Sequence, residues 1–257
     1  MRFQIIEDRP GLRSKIERAI EGVTGLRFRY AGNLPKLTDR HLHRQAFVAG
    51  GGDASGAKGI IFDVGAHVGE SALAFHKSFP EATIHSFEPV EHIFEVLRRN
   101  CKLLANIHCH NLALGDETGE RRIALSGGEI NCTMNSLKSP VTSSTPSELT
   151  QTIKTARLDD FCADAGINQL AVLKMDVEGF EPQVIDGAQR LLGEGRIMHL
   201  VAEVTLDPRN KYHTPLDVLV KRLGKVNYSL TGFYDSAYDF ESGQMLFTNA
   251  FFRSPRL

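Results

Sequence analysis

From Gly59 onward the chain alternates short apolar runs with amphipathic ones, and this alternation restricts the fold more than any other feature. "GIIFDVG" reads as a buried strand and "GESALAFHKSF" as an amphipathic helix. "ATIHSFEP" is a second strand, closed by Pro89, and "VEHIFEVLRRNCKLLA" a second helix. "IHCHNLALGD" reads as a strand with a turn, and "LAVLKMDVEG" and "RIMHLVAEV" as further strands. The helix "PQVIDGAQRLLGEG" lies between these two, with Pro182 in its first turn, where a missing N–H costs nothing. "TPLDVLVKRLGKV" follows as a helix and "GQMLFTNAFF" as a last strand. Strands alternating with helices make a parallel sheet covered on both faces, and near-continuous apolar strands belong in such a sheet. The expected fold is α/β, with a doubly wound sheet.

Two regions depart from this rhythm. Residues 1–57 read as a small N-terminal helical appendage, expected to cap the acceptor side of a site in the domain formed by residues 58–257. Within it, "GLRSKIERAIEGVTG" sets Leu12, Ile16, Ala19, Ile20 and Val23 at helical spacing, and "TDRHLHRQAFVAGGG" is a second helix with Thr38 as N-cap. "GGGDASGAKG" is then a flexible joint. The segment "SLKSPVTSSTPSELTQT", residues 136–152, is rich in Ser, Thr and Pro, and a loop of that length is a lid, a binding loop or disordered.

The net charge of −1 gives no global field toward nucleic acid or an anionic membrane. No run approaches the ~20 apolar residues that span a bilayer, and "MRFQIIEDRPG" has no signal-peptide core. Cys101, Cys109, Cys132 and Cys162 show no C-x-x-C spacing, which fits a reducing compartment, and a cytoplasmic protein is expected.

The stretch "IIFDVGAHVGES", residues 60–71, runs from a strand through a glycine-rich turn into a helix. In a doubly wound sheet, ligands sit beyond the carboxyl ends of the strands. Asp63, Gly65, Ala66, His67 and Gly69 fall there. A dinucleotide needs G-x-G-x-x-G, so that its pyrophosphate approaches the backbone. His67 stands where the middle glycine belongs, which argues against NAD.

S-adenosylmethionine has no phosphate. Gly65 would let the backbone approach its amino acid end, and Asp63 would offer negative charge to its ammonium. Glu88, 19 residues past Gly69, is an acid at the spacing that takes both ribose hydroxyls. Ser71, at the helix start, is a cap, or the helix end receives the donor's carboxylate. "NLALGD" sets Asn111, Ala113 and Leu114 where an adenine edge would lie.

The blocks "IIFDVGAHVGES", "HSFEP", "NLALGD", "ARLDDF" and "LKMDVEGFEPQVIDGA", with the ending "GQMLFTNAFF", resemble the FkbM family of S-adenosylmethionine-dependent methyltransferases over roughly residues 58–253. "KMDVEGFE" is the most specific of them. Where that family often has Asn, this chain has His67. The resemblance implies a Rossmann-like domain of the class I methyltransferase type, S-adenosylmethionine as cofactor, and methyl transfer to a hydroxyl of a sugar or natural product. The expected partner is a small-molecule or glycan acceptor. The rival readings are an NAD-dependent oxidoreductase and a nucleotide-binding module without catalysis.

Transfer to a hydroxyl needs its proton removed, by a base or with a divalent metal that lowers the hydroxyl pKa. "LKMDVEGFE" ends a central strand with Asp176 and Glu178, which share a side if the strand continues. Asp176 is the first choice for a catalytic role and also a candidate donor contact. Lys174 is its expected ion-pair partner, and Glu181 reads as complementing a helix N-terminus. Glu203, at the end of "HLVAEV", and His213, in "NKYHTP", are further catalytic candidates.

Overall fold

The computed structural model describes residues 59–125, 150–207, 209–210, 212–239 and 242–257. The expected N-terminal appendage and most of the Ser/Thr/Pro-rich segment lie outside the described residues.

The central sheet begins with β1 (Ile60–Val64), α1 (Glu70–Ser78), β2 (Thr83–Phe87), α2 (Glu91–Cys101) and β3 (Ile107–His110). A second, three-stranded sheet follows, of β4 (Ala113–Gly115), β5 (Gly119–Ala124) and β6 (Thr150–Arg157), in the order β4-β6-β5. The chain returns through α3 (Leu158–Asp164) to β7 (Leu170–Met175). It continues with α4 (Glu181–Gly187), α5 (Gln189–Gly193), β8 (Ile197–Thr205), the short β9 (Thr214–Pro215) and α6 (Leu216–Gly224). It closes with β10 (Ser229–Tyr238) and β11 (Met245–Arg253).

The strand order is β10-β11-β8-β7-β1-β2-β3, with β9 paired to β8. β1 pairs in parallel with both β2 and β7, so the winding reverses between β1 and β7. That reversal opens a crevice beyond their carboxyl ends. The sheet is mixed rather than wholly parallel, because β11 runs antiparallel to β8 on one side and β10 on the other.

Every residue of β7 is buried, as its apolar sequence requires of a strand covered on both faces. On one face Phe62, Leu173, Leu200, Val184 and Leu191 share a core. On the other, Ile61, Ile84, Val172 and Val201 meet Ala72, Phe75 and Leu97 of α1 and α2. In α2 the buried side chains Ile93, Leu97 and Cys101 recur every fourth residue, one stripe of a helix.

Two elements divide where the sequence suggested continuity. "IHCHNLALGD" is broken after His110, and Ala113–Gly115 pairs with β6 instead of extending β3. "PQVIDGAQRLLGEG" is two helices. Asp159 starts the second by accepting from Arg190 N at 2.7 Å and Leu191 N at 3.1 Å. A Cβ on Gly187 would fall 1.8 Å from the Gly115 carbonyl oxygen, so this glycine seats α4 against β4. Among the described residues, no helix is long and apolar enough to cross a membrane.

Candidate active site

The glycine turn leaves β1 at the crevice. Gly65 has φ 75°, and a Cβ there would lie 1.8 Å from the carbonyl oxygen of Asp176. The space expected to admit a ligand at this position is filled by the backbone after β7. Gly65 N and Ala66 N both donate to Phe87 O, at 3.1 and 2.9 Å. Ala66 O accepts from Gly69 N at 2.8 Å, and His67, at φ 49°, gives its N–H to Glu88 Oε2 at 3.1 Å. Gly69 precedes α1 in a left-handed conformation and packs against Leu97 and Cys101. Ser71 lies inside the first turn of α1, whose N-terminus has no side-chain cap, so the expected capping role is not met.

Under the turn sits a buried ionic row. Asp63 and Lys174 are neighbours in register on β1 and β7. Lys174 Nζ lies 3.1 Å from Asp63 Oδ1, 3.1 Å from Gly65 O and 3.4 Å from Asp176 Oδ2. Asp63 is completely buried, whereas the Asp176 side chain is 40% exposed. Burial pulls the Lys174 ammonium down, but the carboxylates of Asp63 and Asp176 outweigh it and leave its pKa raised. Burial raises Asp63 despite Lys174. Asp63 is thus committed to Lys174, not turned out toward a ligand, while Asp176 meets solvent at the mouth.

Glu88 follows β2 and is 6% exposed. Its Oε2 accepts from His67 N and its Oε1 from Val90 N at 2.9 Å. Burial pushes its carboxyl up to about 7, against the pull of those two amides. Asn111 Nδ2 donates to Glu88 O at 3.0 Å and Pro89 O at 3.1 Å, fixing this segment from the end of β3. Gln151 of β6 reaches the same segment, accepting from Glu91 N at 3.3 Å and donating to Pro89 O at 3.4 Å. Asn111 is therefore a brace for the Glu88 segment. Ala113 and Leu114, expected at an adenine edge, are buried at 3% and 1% exposure.

The other carboxylates gather beyond β7 and β8. β7 ends at Met175 and Glu178 takes φ 50°, so strand alternation does not govern Asp176 and Glu178. They remain electrostatic neighbours. Burial first, then the charges of Asp176 and Glu203, raise the Glu178 carboxyl to about 8. Glu181, fully buried, ties this turn down: Oε1 accepts from Val177 N at 3.1 Å and Gly179 N at 3.3 Å, and Oε2 accepts from the Thr214 hydroxyl. Its structural reading stands, although it braces the preceding turn more than the helix.

Glu203 Oε2 lies 2.8 Å from His213 Nε2, and both side chains are largely covered. The His213 ring stacks on Phe247, centroids 4.9 Å apart, and its Nδ1 faces the side-chain amide of Asn210. Asn210 and Thr214 carry no signal in the sequence beyond a turn-forming Asn and a Thr before Pro. Their partners come from elements that only the fold brings near. Among the described residues, no three His, Cys, Asp or Glu side chains group as ligands for a metal ion.

A doubly wound sheet with a reversed strand beside β8, and a glycine turn with acids following β2 and β7 at the β1/β7 reversal, define a Rossmann-like domain of the class I methyltransferase type. The Methyltransferase FkbM domain family matches residues 63–226, and the chain belongs to that family.

Three relatives are similar to it. The 2-O-methyltransferase NoeI of Sinorhizobium fredii is 26% identical over 149 residues, 54% of this chain and 61% of that protein. The 31-O-demethyl-FK506 methyltransferase FkbM of Streptomyces tacrolimicus is 28% identical over 174 residues, 56% of this chain and 65% of that protein. Methyltransferase 1 of Beauveria bassiana is 26% identical over 178 residues, covering 62% and 70%. The chain thus spans under two thirds of the first two.

Proposed function

We propose that the protein transfers the methyl group of S-adenosylmethionine to a hydroxyl oxygen of a carbohydrate or secondary metabolite. The observation that carries this is the meeting, at the β1/β7 reversal, of the Glu88-braced glycine turn with the carboxylates Asp176, Glu178 and Glu203. Family membership supports methyl transfer, and the names of NoeI and FkbM supply the preference for oxygen.

The residues present fit such a donor. Each Glu88 oxygen takes one backbone N–H, and a carboxylate oxygen has two acceptor sites. One site per oxygen remains for a pair of ribose hydroxyls. The donor, when bound, supplies an electrophilic methyl on sulfonium. Asp176, partly exposed beside the turn and held by Lys174, orients the acceptor or takes its proton. Glu178 and Glu203 line the acceptor side with partly desolvated carboxyls that burial inclines to hold their protons. A positioned base is worth ~10²–10⁴-fold in rate.

The test is calorimetric titration with S-adenosylhomocysteine and with NAD, followed by donor turnover against a panel of hydroxylated sugars and polyketides. S-adenosylhomocysteine should bind and NAD should not. Asp176→Asn should keep that binding and lose about two orders of magnitude in turnover. Binding of NAD alone would overturn the proposal.

A further inference from the structure

We infer that His213 is a positioning residue, fixed at both ring nitrogens by Asn210 and Glu203, and that it leaves proton acceptance to the carboxylates beside it. This rests on the methyl-transfer reading for its functional meaning, but not for its geometry.

Asn210 Oδ1 accepts the N–H of Tyr212 at 2.9 Å and that of His213 at 3.1 Å. Those two bonds fill its acceptor capacity. They also fix which way the amide points. His213 Nδ1 lies 3.0 Å from Asn210 Nδ2 and 3.2 Å from Oδ1, but Oδ1 is already taken by the two backbone N–H groups, so Nδ2 is left to serve Nδ1 with one hydrogen and Leu246 O, at 3.4 Å, with the other. A donor opposite Nδ1 requires Nδ1 to be the bare nitrogen of the neutral ring. The ring hydrogen must therefore sit on Nε2, pointing at Glu203 Oε2, 2.8 Å away. Stacking on Phe247, with planes 14° apart, holds the ring in that plane.

Neither nitrogen is left to meet an incoming hydroxyl, so the base role that the sequence suggests for His213 does not fit. The ring instead holds one oxygen of Glu203, leaving that carboxylate's orientation fixed next to Glu178.

The charge on His213 follows from the groups that face it. Burial favours the neutral ring. Glu203 on β8, Glu178 in the turn after β7 and Glu181 on α4 favour the imidazolium and win, leaving its pKa raised. Glu203 in turn is raised by burial, with His213 and Lys174 opposing and Asp176 reinforcing.

The experiment is two-bond 15N–1H correlation on the full chain labelled with 15N-histidine, followed across pH, with His213 identified by its loss in His213→Gln. In the wild type, neutral His213 should carry its hydrogen on Nε2 and titrate above an ordinary histidine. Asn210→Asp keeps an acceptor for both backbone N–H groups but puts an acceptor opposite Nδ1. With a carboxylate then at each ring nitrogen, it should favour the doubly protonated ring and raise the titration by about one pH unit or more. Glu203→Gln should lower it by about the same.

A neutral wild-type ring that carries its hydrogen on Nδ1 overturns the inference, and that measurement needs no variant to fold. An unchanged titration in a folded Asn210→Asp protein also overturns it. Calorimetry with S-adenosylhomocysteine on the same samples separates the two claims: failure to bind removes the methyl-donor reading and leaves the tautomer result standing.

Discussion

If Glu88 receives the ribose of the donor, affinity for S-adenosylhomocysteine must follow its ionisation. The hydroxyls donate, so they need the carboxylate. Burial holds the free protein's Glu88 at about 7. At pH 8 about ten of eleven molecules are then ionised, and at pH 6 about one of eleven. Apparent affinity scales with the competent fraction, so the dissociation constant should rise roughly tenfold from pH 8 to pH 6.

Glu88→Gln is nearly isosteric and does not titrate. It should lose roughly 1.5–3 kcal/mol, or about 10- to 150-fold in affinity, and flatten most of the pH dependence. Glu178, raised to about 8, titrates in the same range, but it does so in both proteins and cancels from their difference. Isothermal titration at half-unit pH steps reads both quantities. An equal slope in wild type and Glu88→Gln would refute the assignment.

The sign for stability is opposite. A carboxyl raised in the folded state holds its proton longer than the unfolded chain does, so stability falls as pH rises from about 4.5 to 7.

Two further outcomes follow from the backbone and the buried charges. Lys174→Met leaves Asp63 wholly buried without its cation and should cost about 3–5 kcal/mol by urea denaturation. Adding Asp63→Asn should recover a large part of that, and a single variant as stable as wild type would remove the pair from the core. Gly65→Ala should cost at least ~2 kcal/mol, because its Cβ meets the Asp176 carbonyl and φ is positive. A normal melting temperature in that variant would show that the two strand ends separate freely.

The alternation from β1 to α2 was legible because each strand is an apolar run and each helix has one apolar stripe. β5 and β6 were not, because "GERRIA" and "TQTIKTAR" are mostly polar and form a satellite sheet. β10 hid in "SLTGFYDSAY", which contains Gly232 and bulges against β11. At the site, Glu88 stood out through its spacing, and Lys174 through being a charge inside an apolar strand.

The same period-2 logic failed at Glu178, where the strand had already ended. Asp63 was misread for a different reason. Its facing partner is 111 positions away, and only the pairing of β1 with β7 reveals it. Asn210 acts through a loop contact that no periodicity encodes.

The position of β11 has a consequence for how the molecule comes to exist. It is the last strand in chain order among the described residues, yet it lies between β8 and β10. As the polypeptide leaves the ribosome, β8 keeps one long hydrogen-bonding edge open until residues 245–253 emerge. Until then the strand bearing Glu203 offers a template for pairing with another nascent chain. Closure of the sheet, and with it the seating of Phe247 against His213, therefore waits for residues 245–253, and the contact between Glu203 and His213 gains its stacking partner only then.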